Sequence, residues 1–172
     1  MYKIEFKESS GVTSVRVGDI EKNTWFLSQV DGKPALILNA GDYLTGVSSK
    51  MRRIIVIFYI NEEKFIVIRY NLDAMFYNIQ KVRVTFGEVK VKTIDETTLI
   101  NSSPRGALDN NYLYLYDYCG TGHIVIGGIK DNMQGDFISL TSGTSIKSAE
   151  DDPQNNKYLF PVEVTLKVSN IS

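Results

Sequence analysis

Cysteine and histidine are almost missing from this chain of 172 residues, which holds one of each, Cys119 and His123. A single cysteine excludes an intramolecular disulfide and suits a reducing compartment. A single histidine excludes a zinc centre built from several imidazoles. Long apolar runs are lacking too. The longest, Ile54 to Ile60, is far shorter than the roughly 20 residues that span a bilayer as a helix, so no membrane partner is expected. The opening Tyr2-Lys3-Ile4-Glu5-Phe6-Lys7 alternates apolar and charged residues and has no apolar signal core, which predicts a cytoplasmic rather than a secreted protein. An excess of positive charge is absent as well: 19 Lys/Arg stand against 20 Asp/Glu, with a pI near 5.9. Nucleic-acid binders usually carry a strong basic footprint, so that class is disfavoured.

Catalytic constellations are also wanting. Cys119 and His123 are close in sequence, but a predicted turn separates them and no third group is implied to orient the base. Gly18-Asp19, Gly41-Asp42 and Gly120-Thr121-Gly122 do not lead from a strand into a convincing helix, so none reads as a phosphate cradle. No catalytic residue, metal ligand or cofactor is assigned, and the chain is read as non-enzymatic.

What is present is strand pattern along most of the length. Ile54-Ile55-Val56-Ile57-Phe58-Tyr59-Ile60 and Lys64-Phe65-Ile66-Val67-Ile68-Arg69-Tyr70 form an expected hairpin and are the candidates for central strands. Asp31-Gly32 is a two-residue hairpin signal, with Lys33-Pro34 expected to widen the turn. Leu72, Met75, Phe76 and Ile79 have helical spacing, which predicts one short helix over residues 71–79. The expected core comprises Ile55, Ile57, Phe65, Val67, Val82, Val84, Val164 and Leu166. The polar, acidic segment 148–156 is expected to be a mobile loop.

A faint internal repeat organises these strands. At an offset of 88 residues, the segment Trp25 to Leu38 lies over Leu113 to Ile126 without a gap, and Gly18, Ile20 and Asn23 fall on Gly106, Leu108 and Asn111. Each copy reads as strand, Gly-containing turn, strand. The expectation is an all-β protein of two related modules, 1–86 and 87–172, sharing an interface. The first half carries 12 Lys/Arg against 9 Asp/Glu and the second 7 against 11, a contrast that allows for two kinds of partner or for head-to-tail self-association.

Two features suggest a contact surface. In Tyr112-Leu113-Tyr114-Leu115-Tyr116-Asp117-Tyr118, strand alternation puts four tyrosines on one face and the leucines on the other. Tyr112, Tyr114, Tyr116 and Tyr118 form either an exposed aromatic contact stripe or a face packed under the other module. Arg52 and Arg53, at the entry to the apolar hairpin, are candidate rim charges that could hold a phosphate or an acidic partner.

The segment Val15-Arg16-Val17-Gly18-Asp19-Ile20-Glu21-Lys22-Asn23-Thr24-Trp25-Phe26, followed by Asp31-Gly32-Lys33-Pro34 and Leu36-Ile37-Leu38, resembles a pattern in small accessory proteins of tailed bacteriophages. There it forms a small SH3-like barrel. The resemblance covers about 30 residues, with an echo at 103–126 where Asp19 becomes Ala107 and Trp25 becomes Leu113. It implies two tandem SH3-like barrels or sandwiches and a phage-encoded protein of the infected host cytoplasm. Such a protein would bind a host factor or defence component. The alternatives are a virion part in tail, baseplate or capsid decoration, and capture of a small ligand such as a nucleotide.

Overall fold

The computed structural model describes residues 2–5, 14–44, 51–91, 100–101, 113–118, 121–127, 137–141, 145–146 and 158–171. These residues are all-β. The strands are β1 (Tyr2–Glu5), β2 (Val15–Arg16), β3 (Thr24–Val30), β4 (Lys33–Leu44), β5 (Met51–Tyr59), β6 (Lys64–Asn71), β7 (Met75–Phe76) and β8 (Gln80–Phe86). They continue with β9 (Lys90–Val91), β10 (Ile100–Asn101), β11 (Leu113–Tyr118), β12 (Thr121–Gly127), β13 (Phe137–Ser139), β14 (Ser145–Ile146) and β15 (Tyr158–Asn170). A single 3-10 turn over Val17–Asp19 is the one helical element among them. No helix of the described residues is long and apolar enough to cross a membrane.

The chain divides into two compact units. One comprises Lys3–Thr85 with Leu166–Ser172, the other Met1–Tyr2 with Phe86–Thr165. Residues 166–172, which a division into sequential halves gives to the second module, therefore group with the first.

In the unit of Lys3–Thr85 the strand order is β8-β3-β4-β5-β6, all neighbours antiparallel. Asp31 and Gly32 both take positive φ, 52° and 74°, as a type I′ turn requires. That turn closes tightly, with Val30 opposite Lys33, so Lys33-Pro34 begins β4 instead of widening the loop. Pro34 has no N–H to give toward β5, and its carbonyl accepts from Ile60 N–H at 3.2 Å. Later in β4 the register slips by one residue between Asn39 and Asp42, with Gly41 at φ 107°. The slip is a bulge, and it bends the strand.

Both faces of the β4–β5 pair are buried. On one, Phe26, Ala35, Ile37, Ile55, Ile57 and Tyr59 pack with Val17, Ile20, Phe76 and Ile79. On the other, Trp25 meets Phe58 at 5.9 Å between ring centroids, and Phe58 meets Phe65 at 5.5 Å. β5 is thus the central strand that its β-branched run predicts. β6 is not central: it ends the sheet, and Val67, expected in the core, is only half-buried, as is Val84. The other six expected core residues are buried.

The helix expected over 71–79 does not form. β6 runs on through Asn71, a turn follows, and β7 pairs with β2, setting Val15 opposite Phe76. Val17 N–H donates to Ala74 O at 2.7 Å and Gly18 N–H to Leu72 O at 2.8 Å. These carbonyls find partners across the chain, and Phe76 and Ile79 reach the core without a helical turn between them.

In the unit of Phe86–Thr165 the order is β15-β11-β12-β13-β14, and β9 and β10 also pair with β15. In each unit four strands form an antiparallel meander, and a fifth strand, β8 or β15, lies beside the first. The hairpin registers coincide at the offset of 88. Phe26 opposite Ile37 becomes Tyr114 opposite Val125, and Val30 opposite Lys33 becomes Tyr118 opposite Thr121. On the next pair, Ile37 opposite Ile57 corresponds to Val125 opposite Ser139.

Candidate binding surface

Tyr114 is 0% exposed. It occupies the position of Phe26 in the register, one of the largest fully buried side chains of the other unit. It is a core residue and is not available as an aromatic contact. Leu113 beside it is also fully buried, so the strand is covered on both faces at this point. Tyr112 and the side chains of Tyr116 and Tyr118 lie outside the described residues, as do Cys119 and the segment 148–156.

Arg53 is a structural tie. Its Nη1 donates to Ile20 O at 2.8 Å and its Nη2 reaches Gly18 O at 3.5 Å. Asn39 does related work from the bulge: its buried Nδ2 donates to Ile20 O and Glu21 O, both at 3.0 Å, and its Oδ1 accepts from Gly41 N–H. Together they pin the chain around the 3-10 turn. Arg52 lies on the other face of β5, half-buried, and its Nε is buried with no hydrogen-bond partner among the described residues.

A polar cluster that the sequence does not announce surrounds His123. Its Nδ1 lies 2.9 Å from Ser139 Oγ, which lies 3.1 Å from Thr141 Oγ1. Ser139 is fully buried, so its hydroxyl is satisfied within the fold rather than offered as a nucleophile. Among the described residues no group of three or more His, Cys, Asp or Glu side chains could hold a metal ion.

Among the described strands β6 ends its sheet. The Ile60–Pro34 hydrogen bond shows that even-numbered residues of β4 turn their backbone groups toward β5. Alternation then assigns residues 54, 56 and 58 of β5 to β4, and residues 53, 55, 57 and 59 to β6. Their partners on β6 are Tyr70, Ile68, Ile66 and Lys64. The backbone groups of Val67 consequently point away from β5, and β6 ends the sheet among the described strands.

The side chains along this edge are apolar in the middle. Ile66 and Val67 are half-buried and Ile68 is 39% exposed. Lys64 and Arg69 bracket them. Arg69 is opposite Ile54 and Arg52 opposite Asn71, so the two arginines are diagonal neighbours on one face. Comparison with protein-family models, with curated proteins and with solved structures finds no match. The surface has to be read from its own chemistry. β6 runs for eight residues without proline, glycine or a bulge, and five of them, Phe65, Ile66, Val67, Ile68 and Tyr70, are β-branched or aromatic.

Proposed function

We propose that the chain is a non-enzymatic binding protein of two related SH3-like modules, and that it takes a protein partner by strand addition to β6. The outer edge of β6 carries this reading: β6 ends its sheet among the described strands, the main-chain groups of Val67 point away from β5, and the alternating side chains supply specificity. Two observations support the modular part. The strand order is common to both units, a meander with its fifth strand beside the first, as a small SH3-like barrel requires. The register of the two hairpins agrees at the offset of 88. The resemblance of residues 15–38 to phage accessory proteins extends the proposal to a phage-encoded protein that engages a host factor or defence component in the host cytoplasm.

Val67→Pro tests the reading. Proline removes the outward N–H of Val67 and leaves the β5–β6 ladder intact, as on natural edge strands. Proteins retained from a bacterial host lysate by the wild type and lost by a folded Val67→Pro variant support the reading. An unchanged set of retained proteins overturns it.

A further inference from the structure

We infer that the hydrogen-bonded set His123–Ser139–Thr141 keeps the strands of the two related units from exchanging. The inference rests on the modular part of the reading above and not on the partner. At the offset of 88 residues, His123 of β12 takes the place of Ala35 in β4. On the next strand, Val125 opposite Ser139 answers Ile37 opposite Ile57. That register continues past Leu140, whose N–H donates to Ile124 O at 2.8 Å, and sets Thr141 opposite His123, as Tyr59 is opposite Ala35. Ala35, Ile57 and Tyr59 all belong to the apolar cluster of the first unit. Their counterparts are an imidazole and two hydroxyls. His123 Nδ1 lies 2.9 Å from Ser139 Oγ and 3.5 Å from Thr141 Oγ1, and the two hydroxyl oxygens lie 3.1 Å apart.

Two units with one strand order and one hairpin register are open to strand exchange, within a chain or between copies. The polar set distinguishes them. β12 in the place of β4 would put the His123 ring where Ala35 is fully buried, with Ile57, which cannot hydrogen-bond, as its diagonal neighbour. β4 in the place of β12 would take the imidazole away from Ser139, itself fully buried. A buried polar group deprived of its partner costs more than the bond contributes when made. In the native pairing either state of the ring is served: an unprotonated Nδ1 accepts from Ser139 O–H, and a protonated one donates to Ser139 Oγ. A single buried polar residue fixes strand choice and register in coiled coils by the same means.

The test is refolding of the full chain from urea under reducing conditions, at several protein concentrations, followed by size-exclusion chromatography. Trp25, opposite Leu38 of β4, reports exchange within one chain by its fluorescence. His123→Ala combined with Ser139→Ile gives β12 and β13 the residues of β4 and β5 at nearly conserved volume. The wild type is expected to return to the size and fluorescence it had before unfolding. The double variant is expected to give about tenfold more chains in exchanged species, larger and increasing with concentration, because the discrimination by a buried polar group is gone. His123→Gln, which keeps a hydrogen-bonding partner for Ser139, is expected to refold as the wild type does. Equal recovery of the wild type and the double variant overturns the inference. So does exchange by His123→Gln at the level of the double variant, since the packing of the ring would then be the cause. A double variant that does not fold overturns it as well, because the set would then serve stability alone. None of these outcomes bears on the β6 reading, which Val67→Pro tests by partner capture.

Discussion

Replacing Tyr114 by Ala separates a core residue from a contact residue. Tyr114 is fully buried, and burying a tyrosine removes about 150–250 Å² from water. Taking about 150 Å² as lost on truncation, at about 25 cal/mol per Å², gives about 4 kcal/mol. That agrees with the roughly 3–5 kcal/mol seen when large aromatic residues leave a cavity. Phe26→Ala, at the corresponding register position, should cost a similar amount. Tyr77→Ala is the matched control: Tyr77 is 62% exposed, and its truncation should cost less than about 0.5 kcal/mol. Urea unfolding followed by far-ultraviolet circular dichroism, with calorimetry beside it, measures all three. At about 2–4 °C per kcal/mol the Tyr114 variant should melt roughly 8–16 °C lower. A Tyr114→Ala protein within about 1 kcal/mol of wild type would refute the assignment, and one that also lost its partner would restore Tyr114 to a contact surface.

Other substitutions probe the remaining parts of the fold. Ile57→Ala should cost about 2–5 kcal/mol by urea titration, because Ile57 is fully buried in the cluster of Phe26, Ala35 and Ile37, whereas Ile68→Ala on the exposed edge should cost less than about 1 kcal/mol. Gly32→Ala should lower stability by about 1–2 kcal/mol from backbone strain alone, since Gly32 has φ 74° and an added Cβ would meet nothing within 4 Å. Asn39→Ala should cost more than about 2 kcal/mol in the same titration. It strips partners from the carbonyls of Ile20 and Glu21 and from the Gly41 N–H, and a repacked variant of near wild-type stability would contradict that network.

Much of the fold was legible in the sequence for identifiable reasons. β-branched runs gave β5 and β6, and Asp31-Gly32 gave the hairpin. The gapless offset of 88 predicted a register that Phe26–Ile37 and Tyr114–Val125 share. That alignment already held the answer for the tyrosines, because it laid Phe26, an apolar residue of the first hairpin, over Tyr114. The alternation of leucine and tyrosine pointed elsewhere, since a period of two says which residues share a face and not which face is covered. The spacing of Leu72, Met75, Phe76 and Ile79 suggested a helix for a similar reason. Two of these residues do reach the core, but carbonyl partners on Val17 and Gly18 hold the backbone in a turn, and those lie more than 50 residues away in sequence. The position of β6 at the end of its sheet was hidden most deeply. Nothing local distinguishes a central strand from the last strand of a sheet when both are rich in isoleucine and valine. The difference is that β6 ends the sheet among the described strands. Arg53 looked like a rim charge because its commitment to Ile20 O is likewise long-range.

The most direct test of the account is the partner affinity of Val67→Pro beside that of Ile66→Pro, each with its fold checked by Trp25 fluorescence and circular dichroism. Val67 N–H points outward and Ile66 N–H points into the β5 ladder. The account predicts a folded Val67→Pro protein with binding reduced at least tenfold, and an Ile66→Pro protein that is strongly destabilised. Full binding by a folded Val67→Pro protein would contradict it.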